Sequence, residues 1–137
     1  MTPLGGSGGG NYEVDAVDGS MVECDDQADA VVVRAKGEID SSNVDALATQ
    51  LAAAVKLAMV QPCRPILVDL QQLTFFGSAA LSALLDCRQA AAEAGTSLRV
   101  VAEDAVVVRP IQVTNLDQVL EIYPTLSAAL RGAENQP

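Results

Sequence analysis

The sequence predicts a single α/β domain in which a mixed sheet of four to five strands is covered by about four helices. Short runs rich in β-branched residues, which are typical of buried strands, alternate with longer segments whose apolar residues recur every three to four positions, as in amphipathic helices. Turn and capping residues separate the two kinds of segment. At 137 residues the chain has the length of one domain with a core of its own.

The first half of the chain supplies a hairpin and a helix. We expect a short strand at residues 21–24, a polar turn, and a buried strand at residues 31–35, where three consecutive valines favour extended backbone. These two strands form a hairpin, which makes the sheet mixed. Residues 41–43 are all N-cap types, and they precede a helix that ends before Pro62.

The middle of the chain continues the alternation of strand and helix. Pro65 opens a buried strand at residues 66–70, and a helix follows at about residues 79–94. Gly95 ends that helix as a C′ residue, and residues 98–102 form the next strand. Because strand, helix and strand follow one another, we expect right-handed crossovers between parallel strands.

The last third contains one ambiguous segment. The valines of residues 106–113 favour a strand, but a buried strand directly after residues 98–102, with no glycine turn between them, would interrupt the alternation. We therefore predict a helix there, with Pro110 in its first turn or at a kink. A short strand around residues 120–122 and a helix capped by Thr125 complete the domain.

Both ends of the chain differ in composition from the middle. Residues 1–11 are rich in glycine and residues 132–137 are polar, so we expect two flexible tails around a domain at residues 12–131. The first residues have neither a basic region nor an apolar run, and no apolar segment is long enough to span a bilayer. We therefore expect a cytoplasmic protein that does not bind a membrane.

Composition excludes several classes of function. The chain carries 18 acidic and 8 basic residues, and its net charge of −10 argues against binding to nucleic acid. It contains no histidine, which is the commonest general base and metal ligand, and no glycine-rich phosphate loop or dinucleotide fingerprint. We expect a protein that is not an enzyme and that needs neither a cofactor nor a metal.

Three cysteines, Cys24, Cys63 and Cys87, are widely spaced and show no pattern of metal ligands. An odd number of cysteines in a chain without an export signal suggests reduced thiols. They are most simply interpreted as small, half-buried side chains. The alternative is a regulator controlled by its thiols, which works through Cys63 or Cys87.

The turn after the strand at residues 66–70 is where we expect the function. Ser78 stands where a helix N-cap belongs, so its side chain can accept a backbone N–H, and the start of a helix favours negative charge. Loops at the carboxyl ends of parallel strands gather at the same edge of a sheet, which is the usual place for a site.

Four segments of the sequence resemble STAS domains, the anti-sigma factor antagonists. Residues 69–85 read DLQQLTFFGSAALSALL, similar to a signature in which an Asp-led strand is followed by an aromatic or apolar pair, Asp-Ser, a small residue and Gly. GEID at residues 37–40, LRVVAED at residues 98–104 and VTNLDQVLEIYPTLSAAL at residues 113–130 are similar to further segments of that family. The match covers residues 21–130 in order and implies a STAS-like fold.

The resemblance also implies a bacterial regulatory mechanism. The dephosphorylated antagonist captures an anti-sigma factor with a protein kinase fold, which frees a sigma factor for transcription. The kinase switches the antagonist off by phosphorylating the serine that corresponds to Ser78, and a phosphatase restores it. Two departures from the family pattern are present here: Gly77 replaces the Asp before the serine, and Ala79 and Ala80 follow in place of the small residue and Gly.

The predicted partner surface combines the Ser78 turn with the start of the preceding helix. Its residues are Asp40, Ser41, Ser42, Phe76, Gly77, Ser78, Ala79 and Ser82. Capping alone also explains the first three. Of Phe75 and Phe76, one belongs to the core and the other to the partner surface, and the sequence does not distinguish them. A monomer or weak dimer is expected, and a STAS subunit of a stress-signalling or transporter-associated complex is the alternative function.

Overall fold

The computed structural model describes residues 11–17, 20–60 and 64–131. The predicted tails at residues 1–10 and 132–137 lie outside the described residues. The elements are, in chain order, β1 (Asn11–Val17), β2 (Ser20–Asp26), β3 (Val31–Ile39), α1 (Val44–Val60), β4 (Ile66–Phe76), α2 (Ser78–Glu93), β5 (Leu98–Val101), α3 (Ala105–Val113), a short 3-10 helix (Leu116–Gln118), β6 (Glu121–Tyr123) and α4 (Leu126–Arg131).

The six described strands form one mixed sheet in the order β1-β2-β3-β4-β5-β6. The pairs β1/β2 and β2/β3 are antiparallel, and the three remaining pairs are parallel. The α/β class, the predicted hairpin and the four helices are confirmed. Strand β1 is an additional edge strand, which begins at Asn11, the last residue of the predicted tail. Its sequence NYEVDAV was not predicted as a strand because Asn, Glu and Asp are depleted in strands.

The central strands are buried on both faces of the sheet. Helices α1, α2 and α3 contribute to the larger core on one face, while α4 packs over a smaller cluster on the other. Neighbouring residues such as Ile66 and Leu67 face opposite sides and are both fully buried. This arrangement explains why the central strands are continuous apolar runs.

Strand β4 extends to Phe76, beyond the predicted end at residue 70. The continuation was not predicted because two register shifts interrupt its alternation of buried and exposed residues. The shifts in its pairing with β3 fall before Gln72 and before Phe75. After Leu70, the residues that face the larger core are therefore three positions apart, at Leu73 and Phe76. A bulge of this kind redirects side chains near the end of a strand. Opposite the second shift, Gly37 has a φ of 90°, a conformation that favours glycine.

The predicted helix ends agree with the structure at Gly95 and Thr125, and the ambiguous valine segment is resolved. Gly95 has a φ of 82°, and the N–H of Thr96 donates to the carbonyl of Ala91 at 2.9 Å, which is the Schellman arrangement. Thr125 caps α4 by accepting the N–H of Ala128 at 3.1 Å. The ambiguous valine segment is helix α3, as predicted, and Pro110 lies inside it rather than in its first turn.

Candidate functional site

Helix α2 begins directly after the end of β4. Its N-cap is Gly77, with φ −89° and ψ 173°, and Ser78 is the first helical residue, so the prediction of Ser78 as the N-cap is wrong by one position. Glycine is tolerated as an N-cap residue. In α2 no side chain forms a capping hydrogen bond. The carbonyl of Gly77 accepts the N–H groups of Ala80 at 3.1 Å and Leu81 at 3.2 Å. The Ser78 side chain is therefore not used as a cap, and it is exposed.

The segment before α1 is closed by a local hydrogen-bond network. The Asp40 Oδ1 accepts the Ser42 hydroxyl at 2.6 Å and the Ser42 backbone N–H at 2.9 Å. Buried Asn43 accepts the Asp40 N–H at 2.9 Å through its Oδ1 and donates to the Glu38 carbonyl at 2.8 Å. The hydrogen bonds from Ser42, its hydroxyl first, hold the pKa of the Asp40 carboxyl below its usual value of 3.8. Asp40 therefore stays ionised at neutral pH.

The two loops lie side by side, as the sequence predicted. Ile39 and Phe76 are the last paired residues of β3 and β4, and the Gly77 N–H donates to the Ile39 carbonyl at 3.1 Å. A Cβ atom on Gly77 would lie 3.7 Å from the Cα of Asp40. The structure thus brings the capping segment and the Ser78 turn together at the carboxyl ends of two parallel strands.

The two phenylalanines have opposite environments. Phe76 is 5% exposed and belongs to the core, so its assignment to the surface is wrong. Phe75, in contrast, is 49% exposed and is the phenylalanine that lies at the surface. The reason is the second register shift in β4, which directs Phe76 into the larger core and leaves Phe75 exposed at the end of the strand. The Phe75 ring also lies close to Gly77, since its Cε2 would be 3.1 Å from a Cβ atom there.

A groove of about 590 Å³ runs between α1 and α2 from the site towards the other end of the helices. Ser82, one turn after Ser78, is exposed at its edge, and Ala79 lies at the end nearest the site. The lining is mostly alanine and other apolar side chains: Val44, Ala48, Leu51, Ala52, Val55, Lys56, Met59, Ala79, Ser82, Ala83, Asp86, Cys87 and Ala90. The groove was not predicted from the sequence, although the many alanines flanking the apolar stripe of each helix are a signal for it.

The cysteines described by the structure are buried. Cys24 is 1% exposed, and Cys87 lies at the groove with its Sγ 4.0 Å from the Leu51 carbonyl oxygen. Burial raises the pKa of the Cys87 thiol to about 12. Redox-sensing thiols are accessible and have a lowered pKa, so this environment does not favour a redox role for Cys87. Cys63 lies outside the described residues.

Two further features bear on the kind of protein. Among the helices in the described ranges, none has the length and apolar character needed to cross a bilayer. Within the same ranges, no group of three or more His, Cys, Asp or Glu residues is placed to hold a metal ion.

The sequence and fold match known proteins along most of the chain. The family model of the STAS domain matches residues 21–129. A protein described as a putative anti-anti-sigma factor, Rv2638 of Mycobacterium tuberculosis, is 37% identical over 101 residues, which are 74% of this chain and 67% of that protein. The anti-sigma-F factor antagonist RsfA of the same species is 33% identical over 104 residues, which are 74% of this chain and 77% of that protein.

A solved structure gives the same result. The crystal structure of an anti-sigma factor antagonist from Mycobacterium paratuberculosis superposes with a TM-score of 0.76 at 31% identity, and the match covers 88% of this chain and 98% of that one. The chain therefore belongs to the STAS domain family. Within it, its relatives place it among the anti-sigma factor antagonists. These antagonists are non-enzymatic regulators, which agrees with the absence of a catalytic constellation in the sequence.

Proposed function

We propose that this protein binds a kinase-type anti-sigma factor in the bacterial cytoplasm and thereby frees a sigma factor for transcription. Phosphorylation of Ser78 switches the binding off, and a phosphatase restores it. The observation that carries the proposal is the exposed Ser78 hydroxyl at the first position of α2, where no capping bond holds it. A hydroxyl in this position is accessible to a kinase without unfolding of the domain.

The start of α2 suits a phosphoserine. A phosphate adds a charge of about −1.5 to −2, and the N-terminus of a helix stabilises negative charge through its dipole and its backbone N–H groups. Helix α2 has 16 residues, and its first turn contains no acidic residue. The phosphate therefore disturbs the fold little, and its charge and bulk act on the partner instead.

The accessible residues around Ser78 form the proposed partner surface. It consists of Asp40, Ser41, Ser42, Phe75, Gly77, Ser78, Ala79 and Ser82, with Phe75 replacing Phe76. Ser41, Ser42, Ser78 and Ser82 are exposed. The hydrogen bonds between Asp40 and Ser42 give one part of this surface a fixed shape before the partner arrives.

The test is a pull-down with the kinase-type anti-sigma factor as bait. We expect Ser78→Ala to bind like the wild type and Ser78→Glu to bind about tenfold more weakly or worse, because a negative charge enters the contact. Ser127→Glu is the matched control: Ser127 is an exposed serine in the first turn of α4, a helix on the opposite face of the sheet from α1 and α2. Equal binding by Ser78→Glu, or no binding by the wild type, would contradict the proposal.

A further inference from the structure

Phe75 exposes a large aromatic surface beside the acceptor serine. Its side chain is 49% exposed, three residues before Ser78, whereas the other phenylalanine of the chain is buried. Aromatic side chains are enriched in the cores of protein interfaces and among the residues that contribute most to binding. An exposed phenylalanine next to the proposed switch therefore has the character of a binding anchor.

Gly77 makes room for the ring of Phe75. A Cβ atom at position 77 would lie 3.1 Å from the Phe75 Cε2, closer than normal van der Waals contact. Gly77 has a negative φ of −89°, so its backbone does not require glycine. The position of the ring, rather than backbone strain, is what a side chain at 77 would disturb. A side chain at position 77 requires the ring to shift by a few tenths of an ångström.

Phe75 and Gly77 contribute apolar surface on one side of Ser78, next to the polar groups of Asp40, Ser41 and Ser42. Gly77 contributes no carboxylate, and the nearby Asp40 carboxylate is engaged by the hydroxyl and backbone N–H of Ser42. A partner that reaches Ser78 from this side meets an aromatic ring and a bare backbone. The ring of Phe75 itself suits an apolar pocket on the partner.

We propose that Phe75 anchors the anti-sigma factor by inserting its ring into an apolar pocket, and that Gly77 determines this specificity by leaving the ring in place. The inference rests on the proposed function and deepens it. It also explains how one phosphate switches the complex: a phosphate on Ser78 sets a hydrated charge at the mouth of the apolar contact, and burying that charge is costly.

The test measures affinity for the kinase-type anti-sigma factor by calorimetry. We expect Phe75→Ala to weaken binding at least about tenfold. Val60→Ala, the matched control, is expected to bind within about twofold of the wild type. Val60 is 82% exposed and ends α1, a helix of 17 residues, about 25 Å from the site at its start. Equal loss in the two variants, or no loss in either, overturns the anchor.

A double-mutant cycle tests the role of Gly77. We expect Gly77→Ala and Gly77→Asp each to weaken binding when Phe75 is present and to have little further effect in the Phe75→Ala background, because both act through the ring. Losses of affinity that add in the double variants would overturn the coupling between Gly77 and Phe75. A loss in Gly77→Asp without a loss in Gly77→Ala would assign the effect to the charge and overturn the role of the ring. Thermal melts of each variant show whether it is folded.

One readout does not depend on the partner. In the free protein, nuclear Overhauser contacts between the Phe75 ring and Gly77 are expected, and their absence would overturn the geometry of the inference. If the wild type does not bind the anti-sigma factor although these contacts are present, the proposed function fails, and the anchor fails with it. If the wild type binds and Phe75→Ala binds equally well, only the anchor fails.

Discussion

The two ends of the parallel strands are built in opposite ways. At the amino ends, Arg64 is 5% exposed and its guanidinium binds the Asp26 carboxylate and the carbonyls of Gln27 at 2.8 Å and Leu57 at 2.6 Å. Its own carbonyl accepts the Thr96 hydroxyl at 2.5 Å. One residue thereby joins the end of β2, the turn after it, the last turn of α1 and the loop before β5.

At the carboxyl ends, the side-chain hydrogen bonds between Asp40 and Ser42 are local. The Asp40 side chain binds a residue two positions away, and the Ser78 and Ser82 side chains are exposed. Long-range hydrogen bonds add stability to the amino end, whereas the carboxyl end keeps its hydroxyls accessible. The comparison indicates that the fold can be modified at Ser78 at little cost in stability, while changes at Arg64 destabilise it.

The largest effect is expected where the core reaches the site. Phe76→Ala should lower the free energy of unfolding by about 3–5 kcal/mol, because it removes a buried aromatic ring and leaves a cavity. Phe75→Ala, the matched change one residue earlier, should cost less than about 1 kcal/mol since that ring is half exposed. Urea denaturation of both variants measures the difference. Equal losses would mean that the two rings do not have the environments described.

A somewhat smaller loss is expected at the opposite end. Arg64→Ala should destabilise the protein by about 2–3 kcal/mol, because it removes a buried cation and leaves the Asp26 carboxylate and two carbonyls without this partner. Arg34→Ala is the control: Arg34 pairs with Asp25 at 3.4 Å near the surface, where ion pairs contribute about 0–1 kcal/mol.

The Arg64 comparison has a second readout in partner binding. The folded fraction of Arg64→Ala should bind the anti-sigma factor as the wild type does, because the changed side chain is at the other end of the strands. A weaker complex at equal folded fraction would contradict the separation of the two ends.

The burial of the thiols gives a prediction on reactivity. In a Cys63→Ser variant, neither Cys24 nor Cys87 should react with a disulfide reagent at pH 8 until the protein unfolds, since both are buried and the pKa of the Cys87 thiol is about 12. Burial raises this pKa above its usual 9.0. The contribution of the protonated Cys87 thiol to the free energy of unfolding is therefore fully present below pH 9 and decreases as the pH rises towards 12. Rapid labelling of the native variant would show that a thiol is accessible in the folded protein, and this would support regulation through the thiols.

The smallest effect is expected at Asp40. Ser42→Ala removes the hydroxyl that lowers the pKa of the Asp40 carboxyl most, so this pKa should rise towards 3.8. Because its pKa is lowered in the folded protein, the Asp40 carboxylate contributes to stability at a pH above the pKa of the unfolded state. This contribution disappears as the pH falls through the pKa of the folded state. Titration by carboxyl NMR measures the shift, and an unchanged pKa would show that the turn is not closed by the hydroxyl.

The order of the elements could be predicted because each has a local signal. The valines of β3, the Schellman glycine Gly95 and the Thr125 cap all depend on a few neighbouring residues. Strand β1 depends instead on pairing with β2, which overrides the weak strand propensity of its acidic residues. Tertiary pairing is not visible in local composition.

The start of the helix after β4 could be predicted from the sequence to within one residue. The turn after β4 and its neighbour at Asp40 were predicted together, since both follow parallel strands. The cap at Gly77 instead of Ser78 and the exposure of Phe75 instead of Phe76 were not predictable, because two register shifts in β4 change which side chain faces the core. The groove between α1 and α2 depends on how two helices pack, which one helical stripe does not specify.

Phosphorylation of Ser78 is the proposed switch that turns off binding to the anti-sigma factor. Its most direct test is incubation of the wild type with the kinase-type anti-sigma factor and ATP, followed by peptide mass spectrometry. We expect one phosphate per chain, located on Ser78, and loss of binding in proportion to the modified fraction. An unmodified Ser78 together with persistent binding, or a phosphate on another residue such as Ser82 that accounts for the loss, would contradict this proposal.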